Sequence, residues 1–153
     1  MAQNLNYETA NSYCYGNTPS NCTKYGRLYT WAAATSACPS DWHLPTNAEF
    51  ETLFIAVGGQ SVAGKMLKST SGWSDYNGKI SNGTDAYSFS ALPVGNRNSN
   101  EHFYGEGNSA AFWSSTEDNS SYAYVMDLNY IYDGADLGGS NMSNGFSVRC
   151  VKD

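Results

Sequence analysis

Charged residues are scarce in this chain, and positively charged residues are the scarcest. Asp, Glu, Lys and Arg make up 14% of the 153 residues, against a usual share of about a quarter. Eight Lys and Arg residues are scattered singly among fourteen acidic residues, which gives a net charge of −6. The sequence therefore offers no basic patch for a phosphate backbone, and nucleic-acid binding is disfavoured.

Long apolar runs are absent as well, so we expect no membrane insertion. No run approaches the roughly 20 residues that cross a bilayer, and residues 1–4 lack the basic and apolar blocks of a signal peptide. We expect a soluble chain whose export signal was removed or lies upstream. The length suits one domain, residues 1–153, and the 41% hydrophobic content is enough for one packed core.

The four cysteines include no C-x-x-C pair, and neither histidine lies at a zinc-ligand spacing from them. Two disulfides are therefore the better interpretation, although three pairings are possible. Cys14 and Cys22 flank a turn-rich insert that a local bridge could close, which leaves Cys38 to pair with Cys150. Disulfides imply an oxidising compartment, so we expect an extracellular or cell-surface protein, or a periplasmic one.

Two helices are indicated in the first half of the chain. The Ala-rich segment from Thr30 to Cys38 ends at Pro39, which cannot continue a helix. A second helix begins at a capping box formed by Thr46 and Glu49. Its apolar residues recur at helical spacing until Gly58-Gly59 ends the run.

Strands are indicated in the second half, where apolar residues alternate with small or polar ones. The alternating segments are residues 86–92, 111–115, 122–128 and 146–151. Between the helices and these strands, residues 62–67 could form a brief helical turn, and 69–85 is expected to be a loop. Residues 129–144 are again polar and Gly-rich. Helices first and strands second predict an α+β fold with an antiparallel sheet.

Residues with catalytic chemistry are few, and we predict that the chain is not an enzyme. His43 lies between Trp42 and Leu44 without an acidic neighbour in sequence. We therefore expect a buried, hydrogen-bonded histidine rather than a general base. His102 is expected in a surface loop, and no Ser-His-Asp order or paired-carboxylate helix is present.

The tryptophans and several acidic residues are further candidates for ligand contacts. The tryptophans could stack on sugar rings, but their positions favour core packing, and only Trp73, in the polar loop, stays open as a contact. Calcium is possible but not favoured, because the spacing of the acidic residues matches no known calcium loop. These residues are Glu117, Asp118, Asp127, Asp133 and Asp136.

The segment from Glu117 to Asn144 has the composition of a binding surface. Its tyrosines are interleaved with Ser, Asn, Asp and Gly, which combine rigid aromatic contact area with adaptable hydrogen bonding. Since only one side of a strand is expected to face the core, we assign the side with Met126 and Leu128 inward, which leaves Asp127 outward. The candidate ligand-binding residues are Asp127, Asn129, Tyr130, Tyr132, Asp133, Asp136 and Asn141. The alternative is a polar surface without a ligand.

A series of motifs runs through nearly the whole chain. In the first half these are Asn4-Leu5-Asn6-Tyr7, Tyr13-Cys14-Tyr15, Tyr25-Gly26-Arg27-Leu28-Tyr29-Thr30-Trp31 and Trp42-His43-Leu44-Pro45-Thr46. In the second half they are Phe89-Ser90-Ala91-Leu92-Pro93, Phe112-Trp113-Ser114-Ser115-Thr116 and Gly145-Phe146-Ser147-Val148-Arg149-Cys150-Val151-Lys152. Together they resemble the Fibrobacter succinogenes major paralogous domain family. Members usually carry a further N-terminal segment, which is expected to be missing or unnecessary here.

The resemblance implies a C-type-lectin-like fold, in which two helices pack on an antiparallel sheet and a long loop region carries the ligand surface. A bridge from the first helix to the last strand recurs in that fold, in agreement with Cys38 and Cys150. The lectin calcium-and-sugar motifs are absent, since Trp113 is followed by Ser114-Ser115. Sulfatase-modifying enzymes share the broad fold class but need reactive or metal-binding cysteines, so an enzyme is the remote alternative.

The resemblance also implies a function. Residues 117–144 lie where lectin-like folds present ligand loops, and variable proteins diversified by retroelements mutate Asn codons in that region. We therefore expect a non-catalytic module, secreted or displayed on a cell surface, that binds a protein or glycan through residues 122–144. The main alternative is a structural or adhesin domain that acts as a stable spacer without a dedicated ligand site.

Overall fold

A computed structural model describes all 153 residues, from Met1 to Asp153. It has the α+β architecture that the order of sequence patterns predicts, and its α-helices number four rather than two. The helices are α1 (Pro19–Tyr25), α2 (Trp31–Ala37), α3 (Asn47–Ala56) and α4 (Gln60–Leu67). None of the four combines the length and the hydrophobicity that crossing a bilayer requires.

The strands form several small antiparallel sheets. They are β1 (Ser12–Tyr13), β2 (Leu28–Tyr29), β3 (Trp42–His43), β4 (Asn96–Arg97), β5 (Phe103–Tyr104), β6 (Ser109–Asn119), β7 (Tyr122–Asn129), β8 (Ala135–Asn141) and β9 (Val151–Lys152). The main sheet has the order β6-β7-β8, and the short strands pair as β1-β2, β3-β9 and β4-β5.

Both predicted helices are confirmed. Helix α2 lies between Thr30 and Cys38, as expected from its Ala-rich run. At the start of α3, the Glu49 amide donates to the Thr46 hydroxyl and the Thr46 amide donates to the Glu49 carboxylate, which completes the capping box. Gly58 and Gly59 follow α3 with positive φ angles and end it. Residues 62–67 belong to the longer helix α4.

One helix and two strand segments differ from the expectation. Helix α1 occupies part of the insert for which turns are predicted, because Pro19 is tolerated in the first turn of a helix. Residues 86–92 form no strand, since Ser88 and Ser90 have positive φ angles that interrupt an extended chain. Of residues 146–151, only Val151 lies in a strand, although the segment makes isolated bridges.

Strand β7 is the middle strand of the main sheet, and both of its faces are covered. Ala123 and Val125 pack in one apolar cluster with Trp113 and helix α2. Met126 and Leu128 pack in a second cluster with helices α3 and α4. The prediction that only one side of this strand faces the core is therefore wrong, because packed segments lie against both sides of the sheet.

The two disulfides join the predicted partners. Cys14 pairs with Cys22 across a short local loop, and Cys38 pairs with Cys150 across a sequence separation of 112. The second bridge fixes the end of α2 to the residue before β9. No cysteine remains free.

Candidate ligand-binding surface

The connection between β7 and β8, residues 130–134, runs beside the start of helix α4 and forms an open groove with it. The groove has a volume of about 540 Å³. Its lining residues are Gln60, Ser61, Tyr132, Asp133, Gly134, Ala135 and Asp136. Three of the predicted binding residues, Tyr132, Asp133 and Asp136, therefore meet at one place.

Helix α4 forms one wall of the groove and approaches the connection at backbone distance. The Lys65 amide donates to the Asp133 carbonyl at 2.7 Å. A Cβ atom added at Gly64 would lie 2.0 Å from the Gly134 carbonyl oxygen. A glycine is required at this position because any side chain would separate the helix from the connection.

A buried lysine, Lys68, binds the backbone of the connection between β7 and β8. The side chain of Lys68 is 1% exposed, and its ammonium group donates to the carbonyl oxygens of Asn129 at 3.0 Å and Tyr132 at 2.9 Å. Burial lowers the pKa of Lys68, while the charge of Asp133 acts in the opposite direction. The two carbonyl bonds fix the ends of the segment that carries Tyr130 and Tyr132.

Trp73 supports this lysine and is not available to a ligand. Its ring lies under the Lys68 ammonium, 5.1 Å from nitrogen to ring centroid. The indole N–H donates to the Ala91 carbonyl and to the Ser69 hydroxyl, and the residue is 5% exposed. The possibility that Trp73 stacks on a sugar is therefore wrong, because the loop folds its ring into the core.

The two candidate tyrosines differ in environment. Tyr132 is 63% exposed at the rim of the groove. Tyr130 is half-buried, packs against the second apolar cluster and meets the ring of Tyr76 edge to face, with centroids 5.5 Å apart. Tyr132 is thus free to contact a partner, whereas Tyr130 also supports the loop.

Two of the predicted carboxylates are neighbours across the sheet. Asp127 on β7 is in register with Asp136 on β8. Burial, and then the nearby charge of Asp136, raise the pKa of Asp127 to about 6. Gln60 donates to the Asp136 carboxylate at 3.4 Å from the helix side. Asp127 is half-buried rather than fully outward as predicted, so Asp136 is the more accessible of the two.

The two candidate asparagines cap turns. The side-chain oxygen of Asn129 accepts from the Ile131 amide, and that of Asn141 accepts from the Ser143 amide. Asn141 lies at the far end of β8, opposite Tyr122, about 20 Å along the strand from the groove. Asn129 thus adjoins the groove through its backbone, and Asn141 does not reach it.

The acidic residues considered for calcium are spread along the sheet. Glu117 and Asp118 lie at the end of β6 that pairs with the start of β7, far from Asp133 and Asp136. No group of three or more His, Cys, Asp or Glu side chains is placed to hold a metal ion.

His43 differs from its expected environment. Its side chain is half-exposed, and its two ring nitrogens contact Asp153 at 2.5 Å and Glu49 at 2.8 Å. The hydrogen bonds to Asp153 and Glu49 raise the pKa of His43. The expected hydrogen bonding of His43 is confirmed, but its expected burial is wrong, and its partner Asp153 lies 110 residues away in sequence. His102 is exposed, as predicted.

The sequence patterns do not predict that Gln60, Ser61 and Lys68 contribute to the groove. Gln60 and Ser61 begin an ordinary short helix, and Lys68 follows the last residue of that helix, with nothing local to mark a buried cation. The target of Lys68 is a loop more than sixty residues later in the chain. Only the tertiary fold joins them.

The comparisons with known proteins give one match. The model of the Fibrobacter succinogenes major domain family matches residues 1–152 of the chain. No curated protein and no solved structure matches it.

Proposed function

The chain belongs to the Fibrobacter succinogenes major domain family, and on this premise we propose that it is a non-catalytic binding module for a protein or glycan. One observation carries the proposal. Tyr132 is exposed on a groove whose backbone is held by the Lys68 ammonium and the close approach of Gly64. An exposed aromatic side chain on a preorganised loop binds with little loss of conformational entropy.

The groove chemistry supports a neutral or basic ligand. Asp133 and Asp136 present carboxylate oxygens that accept hydrogen bonds from hydroxyl, amide or ammonium groups. Tyr132 offers a ring face for the apolar side of a sugar or for a peptide side chain. No cationic side chain lines the groove, so an acidic ligand would meet only like charge there.

A C-type-lectin-like fold is part of the proposal. The bridge from α2 to the residue before β9, the two helices α3 and α4 packed on the main sheet, and the long irregular segment 69–85 support it. Diversification of residues 117–144 by a retroelement is proposed on their Tyr- and Asn-rich composition. A template repeat and a reverse transcriptase gene in the neighbouring DNA would test it.

An extracellular or cell-surface location is proposed from the two disulfides, because such bonds persist in oxidising compartments.

The same bridges favour a second candidate function. A domain cross-linked from α2 to its last strand is suited to act as a stable spacer in a structural or adhesin protein, without a dedicated ligand site. The two functions differ in whether the groove has a partner.

The experiment compares Tyr132→Ala with Tyr87→Ala, which removes a similarly exposed tyrosine outside the groove. Both variants and the wild type are applied to a glycan array and to a pull-down of surface proteins. We expect Tyr132→Ala to lose about 2 kcal/mol or more of binding free energy, and Tyr87→Ala to bind as the wild type does. Thermal melts should agree within about ±0.5 kcal/mol for all three proteins.

Retention of every ligand by Tyr132→Ala would place binding elsewhere, and the absence of any ligand for the wild type would favour the spacer.

Tyr130→Ala is a useful third variant. Its half-buried ring supports Tyr76 and the second apolar cluster, so we expect it to lower both affinity and thermal stability.

A further inference from the structure

A second concave site lies between the N-terminal segment, the end of helix α1 and residues 90–92. It has a volume of about 280 Å³ and shares no residue with the groove. That volume is near the lower end of the range for small-molecule sites, which suits a ligand of monosaccharide size. Its polar lining includes Asn4, Thr23, Lys24, Ser90 and Arg149.

The charge of this cavity is opposite to that of the protein. The chain has a net charge of −6, yet the cavity is lined by Lys24 and Arg149 and by no carboxylate. Lys24 stands at the exposed rim, where its nearest acidic partner is Glu106 at 3.9 Å. In a concave site two cations focus a positive potential.

Arg149 is a buried cation without a carboxylate partner. It is 4% exposed, and its guanidinium donates to the Asn4 side-chain oxygen at 2.7 Å and to the Phe89 carbonyl at 2.6 Å. A longer bond of 3.3 Å reaches the Met1 carbonyl. All three acceptors are neutral, and the Nε–H has no acceptor. Buried cations are usually paired with an anion, but no carboxylate forms an ion pair with this one. The nearby charge of Asp85 acts on Arg149 without such a contact, and the guanidinium lies 4.4 Å from the centroid of the Phe89 ring.

The walls of the cavity are fixed before any ligand arrives. The Asn4 amide donates to the Tyr25 carbonyl at 2.9 Å, and a Cβ at Gly26 would lie 2.8 Å from the Leu5 carbonyl. On the other side, Ser90 is held in a left-handed conformation by hydrogen bonds to Asp85 from its amide and its hydroxyl. Asp85 is thereby engaged with Ser90.

We propose that this cavity binds a small ligand bearing one carboxylate, with Arg149 as its buried charge partner and Lys24 as its partner at the rim. Thr23 adds a neutral hydrogen-bonding group for the rest of the ligand. The ligand is an acidic sugar or a peptide C-terminus, which present the same carboxylate to the site. This site is independent of the groove, so its failure would leave the proposed function unaffected.

The test uses two pairs of probes that differ in the carboxylate. D-glucuronate is compared with D-glucose, and N-acetylglycine with its amide, by NMR titration of the whole chain. We expect the acid of at least one pair to bind saturably, to shift the Arg149 Nε–H signal and to bind about tenfold more tightly than its neutral counterpart, which corresponds to one charge-assisted hydrogen bond. The pair that responds identifies the source of the carboxylate.

Variants at the rim keep Arg149 intact, because its replacement would release Met1, Asn4 and Phe89 together. Lys24→Glu reverses the rim charge and Thr23→Trp covers the mouth, and both residues are exposed. Lys79→Glu is the matched control, since it makes the same charge change at an exposed lysine outside the cavity. We expect the first two variants to lose binding about tenfold or more, and the control to bind as the wild type does.

Three results would overturn the proposal. In the first, neither acid produces a saturable shift. In the second, the neutral probe of each pair binds as tightly as its acid. In the third, Lys24→Glu binds the acid as tightly as Lys79→Glu, which would place the carboxylate at another surface.

Discussion

Two buried cations donate hydrogen bonds to backbone carbonyls, which in regular secondary structure are bonded by backbone amides. Lys68 and Arg149 are both almost fully buried, and both donate to backbone carbonyls rather than to carboxylates. Lys68 bonds to the last residue of β7 and to Tyr132, and Arg149 bonds to Phe89. A carbonyl in an irregular segment has no strand or helix partner, so a buried donor satisfies it. Each side chain thereby fixes a segment whose local sequence specifies no regular structure.

Lys68→Met tests this role at the groove. Methionine keeps the length of the side chain but leaves the Asn129 and Tyr132 carbonyls without a donor, which costs about 1–3 kcal/mol for each buried group. The removal of a buried charge offsets part of that cost. We expect a lower melting temperature and weaker ligand binding through the groove.

Lys79→Met is the control for this change, because Lys79 is exposed and its side chain makes no hydrogen bond. We expect its melting temperature to match that of the wild type. Equal stability of the two variants would mean that Lys68 does not hold the connection.

Asp127→Asn gives a pH-dependent prediction. Burial and the charge of Asp136 raise the pKa of Asp127 to about 6 from its ordinary 3.8. The folded protein therefore binds a proton more readily than the unfolded chain, so the charged carboxylate destabilises the fold at pH values above 6. The penalty is relieved as the pH falls from 6 towards 3.8.

We expect Asp127→Asn to be more stable than the wild type at pH 7–8, by at most about 3 kcal/mol, and the gain to disappear by pH 4. Urea unfolding across this pH range measures the difference. Asp75→Asn is the control, because it makes the same charge change at an exposed carboxylate outside the groove. A gain that is constant from pH 4 to 8 would contradict the assigned pKa.

Helix α4 is the element that turns an irregular connection into a groove wall. It contributes Gln60 and Ser61 from its first turn, Gly64 and the Lys65 amide from its middle, and Lys68 just beyond its end. These positions fall on the turns that face residues 129–134. The helix and the connection therefore form one unit although they are far apart in sequence.

Gly64→Ala tests how closely the two elements are packed. In a free helix alanine is more favourable than glycine by about 1 kcal/mol. Here its Cβ would lie 2.0 Å from the Gly134 carbonyl oxygen, a backbone atom, and overpacking of this kind costs about 1–3 kcal/mol. We expect the steric cost to exceed the helical gain and the melting temperature to fall.

Gly138→Ala, on β8, is the matched control, since a Cβ there meets no atom within 4 Å. We expect it to be as stable as the wild type or slightly more stable. A Gly64→Ala variant that is more stable than Gly138→Ala would show that the helix and the connection can separate without cost.

The molecule as a whole is held by contacts between distant parts of the chain. The N-terminal segment bonds to the last segment, from the Leu5 amide to the Val148 carbonyl, and Tyr29 bridges to Phe146. The Cys38–Cys150 disulfide adds a covalent link between the same regions. Because the helices are short and the sheets are small, the fold depends on these links between distant parts of the chain.

Removal of each disulfide should therefore have a different effect. In the chain-entropy model a loop with the separation of 112 between Cys38 and Cys150 contributes about 4–5 kcal/mol, and the loop from Cys14 to Cys22 contributes about 2–3 kcal/mol. We expect the double Cys38→Ser, Cys150→Ser variant to lose more stability than the double Cys14→Ser, Cys22→Ser variant. Chemical unfolding measures both.

Non-reducing peptide mapping of the wild type checks the pairing itself. We expect one peptide that joins Cys14 to Cys22 and another that joins Cys38 to Cys150. A free-thiol titre near four in protein purified under oxidising conditions would contradict both the bridges and the oxidising compartment.

Signals from nearby residues were sufficient for part of this structure. The capping box of Thr46 and Glu49, the Ala-rich helix that ends before Pro39, and the alternation along 122–128 predicted α3, α2 and β7. The even cysteine count and the turn-rich insert after Cys14 favoured the correct pairing. The three elements and the Cys14–Cys22 bridge depend on residues a few positions apart, which is why a sequence pattern can specify them, whereas the pairing of Cys38 with Cys150 followed because these two cysteines remained.

The remaining features depend on which segments pack together. Strand β8 forms in a polar, Gly-rich segment because β7 offers it a partner, and Trp73 is buried because its loop folds over Lys68. His43 meets Asp153, and Gln60 meets Asp136, only across long stretches of chain. The sequence alone indicated a tyrosine-rich binding segment, whereas the groove exists because tertiary packing brings helix α4 against it, and no local pattern encodes that contact.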